Sequence, residues 1–163
     1  MNDKGFTLIE LISVIAIMVV LIAIISLSFS SVDSMRVDEV SEQYHTGLET
    51  AQTIVMARNG GHIVLSDDGK YYQMNIYDAD GTIRDSKQIG SSEHITIKYY
   101  IKGSGGDMTE KSISDEALDI TYDTVSGAFK FAPDNTVSSV VFSNGRKSRT
   151  ITLYANTGKN ILE

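Results

Sequence analysis

Between Leu11 and Val32 no residue carries a charge, and apolar side chains fill most positions without a period. A helix of about 20 apolar residues spans a bilayer, whereas a cleaved secretory signal has an apolar core of about 7–15. Ser28-Phe29-Ser30-Ser31 is also a poor small-residue cleavage site. A membrane-inserted helix is therefore expected. Past Asp33, Val37, Val40, Tyr44, Leu48, Ala51 and Val55 advance in steps of three or four, with Glu39, Glu42, Gln43 and Glu49 between them. That spacing predicts a helix with one buried face. No Pro or Gly interrupts Phe6 to His45, so both stretches read as one helix from about Thr7 to Arg58, about 75–80 Å long. Gly47 costs that helix about 1 kcal/mol and marks close packing against a strand. Asn59-Gly60-Gly61 supplies a left-handed stop.

Beyond Gly61 the period drops to two. Ile95, Ile97, Tyr99 and Ile101 point one way, and Thr96, Lys98, Tyr100 and Lys102 the other. The alternation recurs at Leu118, Ile120 and Tyr122, at Phe129 and Phe131, and at Ile151, Leu153 and Ala155. Turns are expected at Asp68-Gly69, Asp80-Gly81, Gly103–Gly106, Ser126-Gly127, Asn144-Gly145 and Thr157-Gly158. The prediction is one antiparallel sheet of about six to eight strands, with one face available for the helix. There is no internal repeat and no second domain, and the Gly-Ser-Gly-Gly loop at 103–106 reads as a mobile tip.

Composition sharpens this picture. The chain has 163 residues, 14 basic and 21 acidic, no Cys, no Trp and a single Pro. Of the charges, only Asp3, Lys4 and Glu10 precede the uncharged run, so an acidic soluble part hangs on an apolar stem. Without Cys there is no disulfide framework, thiolate nucleophile or Cys-ligated metal. The acidic balance argues against broad attraction to phosphate backbones or anionic membranes, leaving room only for a local basic cluster. Lys4 favours a cytoplasmic N-terminus.

Glu10 does not suit a plain anchor, because a carboxylate inside an apolar helix costs roughly 2.5–3.5 kcal/mol and is usually paired and functional. Its setting, Lys4-Gly5-Phe6-Thr7-Leu8-Ile9-Glu10-Leu11, resembles the type IV prepilin signal. The resemblance implies that a membrane prepilin peptidase cuts between Gly5 and Phe6 and methylates the new Phe6 amine. It also implies that Glu10 meets the Phe6 amine of a neighbouring subunit during assembly. The spacing agrees physically: cleavage creates a cation on Phe6, and Glu10 lies four residues on, on the same helix face. Major pilins of this family generally carry a helix-breaking Pro where this chain has Leu27, which shifts the resemblance toward a minor pilin or a pseudopilin. A second resemblance lies in Val140-Val141-Phe142-Ser143-Asn144-Gly145-Arg146, Thr150-Ile151-Thr152-Leu153 and Thr157-Gly158-Lys159. These look like the closing strands of H-type secretion pseudopilins and FimT-type minor pilins, with Asn160–Leu162 as the final strand.

The expectation is thus an α+β, pilin-like fold. It comprises a leader at 1–5, a transmembrane and assembly half-helix at 6–32, an amphipathic half at 33–59 and a β-rich head at 60–163. The implied partners are other pilin subunits, the prepilin peptidase and the pilus assembly platform. The implied place is the cytoplasmic membrane with an extracytoplasmic head, followed by a surface pilus or pseudopilus. No cofactor, metal or catalytic activity is expected. His45, His62 and His94 lack ligand spacing, and no nucleophile elbow, P-loop or dinucleotide fingerprint occurs. Asp67/Asp68 and Asp78-Ala79-Asp80-Gly81 read as turns, the latter being half of a calcium loop without its distant Glu. Arg146, Lys147 and Arg149 cluster at a hairpin tip and resemble the Gly-Arg-rich DNA-contacting loop of FimT-type pilins. The alternative is a solvated or docking turn, since no aromatic interleaves the cluster. With the Gly-rich loop, that hairpin would carry a tip-adhesin or DNA-receptor role.

Overall fold

The structure, a computed structural model, describes residues 8–132 and 135–163, and the side chains of all of these except 23–35. An N-terminal helix is packed with antiparallel β-sheets, an α+β arrangement. The chain divides into two compact units, Met1–Asp33 and Ser34–Glu163, and helix α1, Leu8–Arg58, contributes to both. Among the described residues no helix is long and apolar enough to cross a membrane. The described side chains of the first unit end at Ile22, while the uncharged run continues to Val32.

In the second unit the helical stripe does what its spacing predicts. Val37, Val40, Tyr44, Leu48, Ala51 and Val55 are all buried. Full burial of a Val or Leu side chain is worth about 1.5–3 kcal/mol, so this stripe rather than intrinsic propensity holds α1 to the head. Close approach at Gly47 is real: a Cβ there would lie 2.2 Å from Met74 Sδ. Asn59 ends the helix with φ 59°, and the Gly60 N–H donates to the Val55 carbonyl at 3.1 Å. That is the six-to-one bond of a Schellman cap.

Among the described residues ten strands form two five-stranded sheets, where one sheet of six to eight strands was expected. The first sheet runs β3 (Ile83–Ser91), β2 (Tyr71–Asp78), β1 (Gly61–Asp67), β6 (Leu118–Tyr122), β7 (Phe129–Lys130). The second runs β10 (Lys159–Leu162), β9 (Ser148–Tyr154), β8 (Thr136–Ser143), β4 (Thr96–Lys102), β5 (Met108–Ser112). All neighbouring strands are antiparallel. One core unites both sheets with the helix: Ile63, Leu65, Tyr72 and Ile120 come from the first, and Ile97, Val140, Phe142 and Ile151 from the second. The Tyr44 ring lies 5.7 Å from that of Phe142, and the buried Tyr122 hydroxyl donates to the Leu48 carbonyl at 2.8 Å.

Candidate assembly stem and basic hairpin

From Leu8 to Ile22 the stem presents large apolar side chains on every face, from 47% exposed at Val14 to 77% at Leu8. A helix that is apolar all round is stable only when surrounded, by lipid or by other helices. Glu10 sits in its first turn, exposed, where a carboxylate interacts favourably with the helix dipole. The Ser13 hydroxyl bonds back to the Ile9 carbonyl at 2.8 Å, which hides its polarity inside the helix's own backbone. Gly5 and Phe6, the expected cleavage pair and methylation position, lie outside the described residues, as does the Phe6 half of the expected pairing with Glu10. The Leu27 side chain lies outside them too.

The three cations of the β8–β9 hairpin do not behave alike. Asn144 Oδ1 accepts from the backbone N–H groups of Arg146 and Lys147, at 3.0 and 2.8 Å, and shapes the turn. Lys147 Nζ and Arg149 Nε then reach the two carboxylate oxygens of Asp38 on α1, Arg149 at 2.7 Å. These donors hold the Asp38 carboxyl below the usual range, Lys147 first and Arg149 next, against the opposing effect of burial. Arg146 is exposed and forms no ion pair among the described residues.

The opposite end of β9 is tied to the same helix. Gln52 Nε2 donates to the Gly127 carbonyl at 2.7 Å and to the Gly158 carbonyl at 3.4 Å, joining the β6–β7 and β9–β10 turns. Asp38 and Gln52 are about 21 Å apart along a helix, which matches the roughly 23 Å span of β9. Sequence reasoning singled out the cations but neither Asp38 nor Gln52, since both partners are over a hundred or some seventy positions away.

The remaining candidates occupy ordinary places. His45 is on α1, His62 stacks on Tyr77 with ring centroids 4.8 Å apart, and His94 lies in the β3–β4 loop. Among the described residues no His/Asp/Glu group could hold a metal ion. Asp78 and Asp80 close the β2–β3 turn, where the Asp80 carboxylate accepts the Thr82 N–H at 2.9 Å. Asp78 faces Arg58 and Arg84 at 3.5 and 3.7 Å. In the β4–β5 turn, the Gly106 N–H donates to the Gly103 carbonyl at 3.0 Å.

Residues 1–26 match the family model described as the prokaryotic N-terminal methylation motif. No curated protein and no solved structure matches the chain. The motif supports a type IV pilin-type or pseudopilin subunit, and with it processing by a prepilin peptidase and assembly with other pilins.

Proposed function

We propose that this chain is a non-enzymatic structural subunit of a type IV pilus, and within that class a minor pilin. After cleavage between Gly5 and Phe6 and methylation of Phe6, residues 6–32 hold it in the cytoplasmic membrane until it is drawn into a filament. The observation that carries this reading is the stem from Leu8 to Ile22, exposed and apolar on every face, with Glu10 its one charge, lying within the methylation motif. In lipid such a stem is an anchor. Among other stems it becomes the core of a polymer, where Glu10 needs a cation and the Phe6 amine of a neighbour supplies it.

Leu27, in place of a helix-breaking proline, favours a minor pilin over a bulk subunit, and a pseudopilin of a secretion or competence machine is the close alternative. Shearing filaments and quantifying the chain by mass spectrometry in fibre and membrane fractions separates the two. Trace amounts in the fibre, starting at methylated Phe6, are expected. Processed chain confined to membranes would select the pseudopilin, and a chain starting at Met1 would refute both.

A further inference from the structure

We propose that Asn144 is a site of spontaneous deamidation, closing on the Gly145 backbone nitrogen as a succinimide and opening in water to a carboxylate within the β8–β9 turn. The chemistry belongs to the head alone and asks nothing of the stem. The Gly145 nitrogen attacks Asn144 Cγ and passes its proton to water. The new N–C bond closes the ring, and Nδ2 takes up a proton and leaves as ammonia. Water then adds to either ring carbonyl. One opening gives aspartate at 144, and the other gives isoaspartate, in which the main chain runs through the former side chain. Ammonia is lost, water is gained, and nothing is oxidised or reduced.

The chain has two Asn-Gly pairs, Asn59-Gly60 and Asn144-Gly145, and folding treats them differently. At the end of α1 the Val55 carbonyl holds the Gly60 N–H at 3.1 Å, and Asn59 is fixed at φ 59°. Attack there would break the helix cap. In the β8–β9 turn the Gly145 N–H meets the Ser143 hydroxyl at 3.2 Å, a side-chain acceptor that can rotate away. Gly145 is exposed, with nothing within 4 Å of where a Cβ would be, so its nitrogen is unhindered. The electrophile is prepared as well. Asn144 Oδ1 accepts the N–H groups of Arg146 and Lys147 at 3.0 and 2.8 Å. Negative charge collects on that oxygen as the nitrogen attacks, and preorganised backbone donors stabilise such an oxyanion. The β1–β2 turn repeats the geometry with an acid. Asp68 and Asn144 each donate their N–H to the carbonyl three residues on, at 3.1 and 3.2 Å, and a left-handed Gly follows each. Asp68 Oδ1 likewise accepts the N–H groups of Lys70 and Tyr71, at 2.9 and 2.6 Å. Those donors, Tyr71 first, hold the Asp68 carboxyl below its usual range, so it is ionised and offers no leaving group. One turn is thus reactive where it carries an amide and inert where it carries a carboxylate. Deamidation adds a second carboxylate beside Lys147, which with Arg149 now serves Asp38. The isoaspartate form also adds a methylene to the main chain that carries both cations to Asp38.

The full-length chain in detergent micelles is aged at neutral pH, and peptide mapping by mass spectrometry with electron-transfer fragmentation follows aspartate and isoaspartate at both Asn-Gly pairs. In the folded chain Asn144 should convert faster than Asn59 by about tenfold or more. In urea, where neither turn nor cap persists, the two should convert at similar rates, since Gly follows each. Gly145→Ala should slow conversion at Asn144 by about tenfold or more and leave that at Asn59 unchanged. Asn144 that keeps its amide in the folded chain, or converts no faster there than Asn59, overturns the proposal. A gap of the same size in urea overturns it too, because the difference would then lie in the neighbouring sequence and not in the turn. Conversion that ignores Gly145→Ala would mean direct hydrolysis by water and overturns the ring closure. Isoaspartate forming at Asp68 as fast as at Asn144 would overturn the role given to the leaving amide.

Discussion

Tyr44 and Tyr122 are buried in the same core, yet among the described residues only one of the two hydroxyls has a partner. Tyr122 donates to the Leu48 carbonyl at 2.8 Å, whereas the Tyr44 hydroxyl is buried with no hydrogen-bond partner among the described residues. Burial pushes both phenols well above their ordinary pKa, with Asp119 adding to the effect at Tyr44 and Tyr44 to that at Tyr122. Removing an unsatisfied buried hydroxyl relieves its desolvation cost, while removing a satisfied one strands its acceptor. Tyr44→Phe should therefore leave stability unchanged or raise it by up to about 1 kcal/mol, and Tyr122→Phe should cost about 1 kcal/mol or more. Urea titration of the two variants reads the contrast directly. Asp38 makes a prediction of a different kind, because its folded pKa is depressed by Lys147 and Arg149. Its stabilising contribution is complete above the unfolded Asp value of about 3.9 and is lost as pH falls through the lower folded value. Asp38→Asn should lower the melting temperature at neutral pH, and the two proteins should converge in strong acid. A difference that persists unchanged to the lowest pH would mean that the hairpin does not depend on this carboxylate.

Turns carry much of the architecture, and two of their glycines separate backbone conformation from packing. Gly145 has φ +81° with open space where a Cβ would go. Gly158 has φ +65°, and its Cβ would lie 1.9 Å from the Gly127 carbonyl oxygen, where the two sheets meet at the Gln52 clamp. Gly145→Ala should cost about 1–2 kcal/mol, the price of a left-handed residue, and Gly158→Ala clearly more, because a backbone atom must also shift. Chemical denaturation in parallel tests this, and equal losses would argue against contact between the turns. Elements with a strong pattern were legible in advance. The stripe from Val37 to Val55 is buried as spaced, and each expected turn separates consecutive strands. Strands β3 and β5 were silent because Arg84-Asp85-Ser86-Lys87-Gln88 and Thr109-Glu110-Lys111 are polar on both faces, so no alternation marks them. The division into two sheets was illegible for a related reason: period two reports which face of a strand is buried, not which strand lies beside it. Arg146, Lys147 and Arg149 could be seen as a cluster, but their different fates depended on Asp38, reached only by folding.

At the scale of the whole molecule, the strand edges offer little to polymerise through. β3 is charged and bulged twice against β2, β7 has two residues, β10 has four, and β5 carries Glu110 and Lys111 in ion pairs. Such edges resist strand addition. On the proposed reading, assembly falls to the stem, whose apolar surface is available on every side from Leu8 to Ile22. Lipid and neighbouring stems compete for that surface on nearly equal terms, since hydrocarbon tails are as apolar as leucine. On the reading proposed above, a polar contact must then tip the balance toward the filament, and Glu10 is the charge proposed to do so. Unpairing a buried charge costs about 3–5 kcal/mol, which is a population change of roughly a hundredfold to several thousandfold. If the proposed pairing holds, Glu10→Gln in the filament removes the carboxylate and leaves the Phe6 amine of a neighbour without a counter-ion. The variant chain should still be inserted, cleaved and methylated, because an uncharged side chain costs less in lipid than a carboxylate, but its share of sheared filaments should fall by about two orders of magnitude. Quantitative mass spectrometry of membrane and fibre fractions makes the comparison. Depletion from both fractions together would place Glu10 in processing or insertion, and unchanged incorporation would remove it from assembly altogether.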